Sequence, residues 1–240
     1  MNTIYLPAQN QEKQPITLIW LHGLGVDGSD FEKFQTELNQ FGGMDNVNLI
    51  LPTAPTRAVQ YMNGAKMHAW FDLPAESIQA DLDHSDIEGM NASRDIIQKI
   101  IDEEKQKNPE TPIVLGGFSQ GAAMALLTGL SQQQPLLAIV AFSGFLPSHP
   151  RFDELSDIAQ QIPIFMAHGA LDSVIPMNTA ESGFHSLNAA HANVEFHQYP
   201  MMHELCPHEI EDLVEFLNVH LEQLHERLQQ TKELVDTQTD

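Results

Sequence analysis

Ile113-Val114-Leu115-Gly116-Gly117-Phe118-Ser119-Gln120-Gly121-Ala122-Ala123-Met124-Ala125-Leu126-Leu127 decides how this chain folds. An apolar run, a glycine–serine–glycine turn and an Ala/Met/Leu-rich run follow one another without a break. The first has the pattern of a strand covered on both faces and the last that of a buried helix. Between them lies a G-x-S-x-G pentapeptide, residues 117–121. Ordinary glycine and serine frequencies give about 0.08 such matches by chance in a chain this long. The strand–turn–helix setting is what makes the match informative. In so tight a turn, side chains two residues either side of the serine would collide. The serine itself is held at a strained backbone angle that lifts its hydroxyl clear of the sheet. A hydroxyl is a weak nucleophile unless a base takes its proton, so the same chain must supply a histidine and a carboxylate.

Working outward, the apolar runs 16–21, 47–51, 112–117, 136–142, 162–167 and 194–199 read as strands. The last alternates apolar and polar residues, as an edge strand does. Phe31, Phe34, Leu38 and Phe41 recur at helical spacing behind Ser29 or Asp30 as N-cap. Ile87, Met90, Arg94, Ile97 and Ile101 repeat similarly, as do residues 120–130 and 209–228. Strands alternating with helices predict an α/β domain over residues 1–228, with a mostly parallel sheet between two helical layers. Residues 229–240 are polar and expected to fray. Residues 53–86 form a long, weakly periodic connection, expected to act as a partial lid centred near 75–83.

Ligands of such sheets bind at the carboxyl ends of the strands. In α/β hydrolases the nucleophile is followed in the chain by the acid and then by the base. Asp172 follows the 162–167 run through a His-Gly turn, and His203 follows the 194–199 run. Both therefore stand at strand ends, with His208 as the competing base one helical turn further on. The acid would fix the imidazole tautomer and stabilise the imidazolium. Histidine acts as a base only when neutral, so activity is expected to rise between roughly pH 6 and 7, where free imidazole loses its proton. Attack on a carbonyl also needs donors for the oxyanion. One is the backbone N–H of Gln120, just after the nucleophile. The other is expected from His22-Gly23-Leu24-Gly25, which follows the 16–21 run directly. The stretch 203–208 (HELCPH) is one residue too long for a zinc H-E-x-x-H motif and is broken by Pro207, so no metal is expected.

With 11 basic and 33 acidic residues the formal charge is −22, which repels nucleic acid and anionic membrane. No run of about 18 apolar residues suggests a membrane span. The N-terminus lacks the charge and apolar pattern of a signal peptide, and the single cysteine, Cys206, allows no internal disulfide. A cytoplasmic protein is expected, as a monomer or homodimer.

Six blocks in order resemble the phospholipase/carboxylesterase family of small α/β hydrolases, which includes the acyl-protein thioesterases. They are 22–31 (HGLGVDGSDF), 51–56 (LPTAPT), Trp70-Phe71-Asp72, 116–125 (GGFSQGAAMA), 168–176 (HGALDSVIP) and 199–210 (YPMMHELCPHEI). The resemblance implies a triad of Ser119, Asp172 and His203, an oxyanion hole from the N–H groups of Leu24 and Gln120, and no cofactor. It implies an acyl ester or thioester substrate, held in a groove with Trp70 and Leu73 as wall residues. Two positions depart from the family: Met202 stands where glycine is usual and His208 where glutamate is common. The rival readings are a non-catalytic binding protein on a hydrolase scaffold and an amidase or dienelactone-type hydrolase.

Overall fold

β2 (Ile16–Leu21) shows why the sheet is covered on both sides. All six of its residues are buried, and they alternate between two cores. Ile19 and Leu21 join one core, while Leu18 and Trp20 join the other. The computed structural model describes residues 2–74, 86–152 and 154–237. Seven strands form one sheet in the order β1-β3-β2-β6-β7-β8-β9. They are β1 (Thr3–Leu6), β2, β3 (Val47–Pro52), β6 (Ile113–Phe118), β7 (Ala138–Phe142), β8 (Ile164–Gly169) and β9 (Val194–Tyr199). Every pairing is parallel except β1 with β3. This is the single α/β domain that the apolar runs predict, and β9 is the edge that its alternation indicated. The face carrying Ile19 packs beneath α2 (Ile87–Lys107) and α3 (Gln120–Gly129), and the face carrying Trp20 beneath α1 (Phe34–Gln40) and α6 (Pro207–Thr237). Two short helices, α4 (Asp157–Gln161) and α5 (Met177–Ala189), precede β8 and β9.

Four features differ from the sequence reading. β1 is only four residues long and escapes a periodicity search. Its Thr3↔Pro52 to Leu6↔Leu49 register makes it a strand. Part of the 53–86 connection is a hairpin of β4 (Thr56–Val59) and β5 (Ala65–His68), closed by a turn with left-handed Asn63 and Gly64. The lid expected near 75–83 lies outside the described residues. The first helix is split: a 3-10 turn, Gly28–Phe31, precedes α1, and its cap is Asp27 rather than Ser29 or Asp30. The Asp27 carboxylate accepts from Ser29 N–H at 2.8 Å, and Asp30 accepts from Asp27 N–H at 2.9 Å. Finally, α6 continues to Thr237, past the expected end at residue 228, because Gln, Lys and Glu are good helix formers and no Gly or Pro interrupts them. No helix among the described residues is long and apolar enough to cross a membrane.

α6 carries one costly group. Glu209, in its first turn, is fully buried, and neither carboxylate oxygen has a hydrogen bond of normal geometry. Burial pushes its carboxyl up to about 8, partly offset by the Cys206 backbone. The folded chain therefore keeps this proton at pH values where the unfolded chain has lost it. Stability on this account falls as pH rises from about 4.5 to about 8. Glu209→Gln is expected to flatten that slope and to raise stability near pH 8 by up to about 4 kcal/mol. Urea denaturation from pH 5 to 8 measures it. Parallel slopes in the two proteins would disprove the assignment.

Candidate active site

The turn between β6 and α3 places Ser119 at φ 57°, ψ −118°, outside the regions open to ordinary L-residues. Packing enforces it. A Cβ on Gly121 would lie 2.0 Å from the Leu21 carbonyl oxygen, and one on Gly117 2.5 Å from the Gly121 backbone. The elbow is thus pressed against the end of β2, and Ser119 N–H is held by the Phe142 carbonyl at 2.8 Å.

Two further strand ends converge on this serine. The turn after β8 carries Asp172, whose side chain is fully buried. Its Oδ1 accepts from the N–H groups of Val174 and Ile175 at 2.8 and 2.9 Å, which leaves Oδ2 for His203 Nδ1 at 2.7 Å. His203, on the loop after β9, places Nε2 3.0 Å from Ser119 Oγ. The Phe118 ring lies 4.8 Å from its imidazole, centre to centre, and fixes its plane. His208 is exposed on the first turn of α6 and is not among the residues lining the site. Met202 turns its side chain to solvent, 57% exposed, so its bulk does not narrow the site.

His168 was not singled out in the sequence as a site residue. It is buried at the end of β8, and its Nε2–H donates to the Ile175 carbonyl at 2.8 Å. Burial lowers its pKa, against the pull of nearby Asp172. It is therefore a neutral brace for the Asp172 turn, and its HG signature before an aspartate was the sequence signal for it. His22 has a matching role under the Leu24 loop. Its Nδ1–H donates to Gly23 O at 2.6 Å, and its Nε2 accepts from Ala54 N–H at 2.9 Å. Burial lowers its pKa too, consistent with the single neutral tautomer that these two bonds require.

Leu24, Gln120, Leu73, Tyr61, Phe145 and Val174 line a cavity of about 300 Å³ that opens on Ser119 and His203. Gln120 opens α3, so its N–H has no carbonyl partner within the helix. Of the two residues expected as groove walls, Leu73 lines this cavity and Trp70 does not. Trp70 is fully buried behind the wall, where its indole N–H donates to His22 O at 2.8 Å. The reason is the Gln120 side chain: Oε1 accepts from Trp70 N–H at 2.9 Å and Nε2 donates to Phe71 O at 2.8 Å. This pair of bonds clamps the Trp-Phe-Asp segment to the elbow and turns the indole inward. Among the described residues, no group of three or more His, Cys, Asp or Glu is placed to hold a metal ion.

The phospholipase/carboxylesterase family model matches residues 5–221. The chain belongs to that family. It is therefore a hydrolase with the α/β-hydrolase fold. The family member acyl-protein thioesterase 1 of Mycosarcoma maydis is 34% identical over 233 residues, 90% of this chain and 96% of that protein. Acyl-protein thioesterase 1 of Saccharomyces cerevisiae is 34% identical over 92% of this chain and 99% of that protein. Among solved structures, Zea mays acyl-protein thioesterase 2 superposes with a TM-score of 0.76 at 27% identity, covering 92% of this chain and 99% of that one. Arabidopsis thaliana SOBER1 gives 0.79 at 26% identity, covering 86% and 99%. The family match stops at 221, so the last turns of α6 lie beyond it.

Proposed function

We propose that the chain hydrolyses acyl esters and acyl thioesters through an acyl-enzyme on Ser119, with His203 as base and Asp172 as its partner. The observation that carries this reading is the line Asp172 Oδ2–His203 Nδ1–His203 Nε2–Ser119 Oγ, at 2.7 and 3.0 Å, at the mouth of a mainly apolar cavity. Asp172 accepts the Nδ1 proton, which leaves the Nε2 lone pair facing the serine hydroxyl. Ser119 Oγ attacks the acyl carbon as its proton passes to Nε2. The carbonyl oxygen takes the negative charge beside the N–H groups of Leu24 and Gln120. The carbonyl reforms, the bond to the leaving alcohol or thiol breaks, and Nε2–H protonates that group. Water then repeats the sequence, releasing the carboxylic acid and restoring the serine. No cofactor is needed. The acyl-protein thioesterase names of the relatives support including thioesters. The lone, free Cys206 supports a cytoplasmic setting.

A fluorophosphonate probe tests the reading against a non-catalytic binding protein. Labelling mapped to Ser119 by peptide mass is the expected result, and a folded protein that stays unlabelled would overturn it. Leu73 carries a separate expectation about substrate size. Leu73→Trp adds bulk to the wall of the roughly 300 Å³ cavity, so the optimum in a p-nitrophenyl ester series from acetate to palmitate should move to shorter chains. An unchanged optimum would take Leu73 out of the acyl site.

A further inference from the structure

The hairpin of β4 and β5 is only four residue pairs long, and a two-stranded ribbon of that size does not hold its shape alone in water. Its base is tied to the body on both strands. His68 O accepts from Gly25 N–H at 2.9 Å, and Arg57 pairs with Asp86, the N-cap of α2, at 3.5 Å. The far end is the 3-10 turn Gln60–Met62, which has no side-chain cap of its own. Among the described residues, three hydrogen bonds tie that turn to the body, and two of them end on one carboxylate. Asp72 Oδ1 accepts from Gln60 N–H at 2.7 Å, and Oδ2 accepts from Gln60 Nε2 at 2.8 Å. The third bond runs from Tyr61 N–H to Leu73 O at 3.0 Å.

Asp72 is itself held from behind. Its N–H donates to Asp86 Oδ2 at 2.9 Å, and the two residues before it are bonded to the Gln120 side chain. The carboxylate thus stands on a segment fixed to the nucleophile elbow, whereas Gln60 stands on the ribbon. What the pair of bonds positions is Tyr61. Together with Leu73 it lines the cavity that opens on Ser119 and His203. Tyr61 is nevertheless 39% exposed, so packing alone holds it weakly.

We propose that Asp72 is a positioning residue for acyl-chain selection: by holding the Gln60–Met62 turn, it keeps Tyr61 beside Leu73 as a wall of the cavity. Without the carboxylate the turn swings outward and the cavity lengthens. The selection role rests on the reading that this cavity receives the acyl group, and the latch itself does not. Asp72 has no part in the proton path from Ser119 to Asp172, so it acts on which acyl chain fits.

The test compares kcat/KM for p-nitrophenyl laurate and butyrate. Asp72→Ala is expected to raise the laurate-to-butyrate ratio roughly tenfold, chiefly through a lower KM for laurate. Gln60→Pro removes both donors and leaves Asp72 in place, and is expected to raise the ratio as much. A 3-10 turn has a φ that proline accepts, and the preceding Val59 is extended, as proline requires. Asp72→Asn keeps an oxygen for Gln60 N–H and is expected to give a smaller rise. Tyr61→Ala should raise the ratio too, and adding Asp72→Ala to it should change little, because the carboxylate acts through that residue. A merely structural role would lower both substrates alike and add to Tyr61→Ala. Hydrogen exchange of the Tyr61 amide, expected to quicken in Asp72→Ala, reads the latch without substrate. Thermal melting checks that each variant folds. An unchanged ratio in folded Asp72→Ala or Gln60→Pro, full additivity with Tyr61→Ala, or unchanged exchange over residues 60–62 would each overturn the proposal. A wild type that fluorophosphonate leaves unlabelled and that cleaves no ester would instead overturn the acyl-hydrolase reading, and the exchange measurement would still report on the latch.

Discussion

Ser119→Ala is expected to lower ester turnover by roughly 10⁴-fold or more while leaving the fold intact. The large effect follows from the geometry. In the proposed mechanism the hydroxyl is the nucleophile, and Asp172 and His203 stand in line with it at 2.7 and 3.0 Å along the chain of hydrogen bonds. The residual rate would come from the oxyanion donors and from water activated by His203. The small structural effect also follows, because the serine side chain supports nothing else: its elbow is held by the bond from Ser119 N–H to Phe142 O and by the packing of two glycines. Alanine bears the positive φ no worse than serine. Turnover of p-nitrophenyl acetate, with melting curves for both proteins, measures the two parts. A variant that melts like wild type and keeps a tenth or more of its activity would remove Ser119 from the chemistry.

Gly121→Ala is expected to do the reverse, breaking the fold first and activity as a consequence. The added Cβ would meet the Leu21 carbonyl oxygen at 2.0 Å, its carbon at 2.5 Å and the His22 oxygen at 2.6 Å. These are backbone atoms at the end of β2, a central strand, and of the residue just after it, so no rotamer change relieves the contact. Either α3 moves away from β2 or β2 loses its place beside β6. We expect a loss of roughly 3 kcal/mol or more, beyond the usual cost of a surface change. Gly64→Ala is the internal comparison. Its site has no atom within 4 Å of the new Cβ and only a left-handed φ of 77°, so it should cost about 1–2 kcal/mol. Urea midpoints of the two variants test the ordering. A Gly121→Ala protein as stable and active as wild type would mean that the elbow does not need its glycines.

The sequence by itself determined what depends on neighbours in the chain. Continuous apolar runs mark strands covered on both faces, and the five central ones were legible for that reason, while the alternation of the sixth marked it as an edge. G-x-S-x-G is legible because its requirement is local: two glycines within two residues of the serine, between a strand and a helix. Chain order and strand ends then led to Asp172 and His203, and six ordered blocks led to the family.

Tertiary structure decided what depends on residues far apart in the chain. β1 exists through its pairing with β3 and shows no pattern of its own. Trp70 lies behind the cavity wall in a segment held by two hydrogen bonds with the Gln120 side chain, one accepted from Trp70 N–H and one donated to Phe71 O, fifty residues on. The choice of His203 over His208 rests on where β8, β9 and α6 bring three loops together. The burial of Glu209 beside Ile210 in the first turn of α6 appears only once the chain is packed. Local sterics and periodicity can be read along a chain, whereas burial and facing are properties of a surface that distant segments make together.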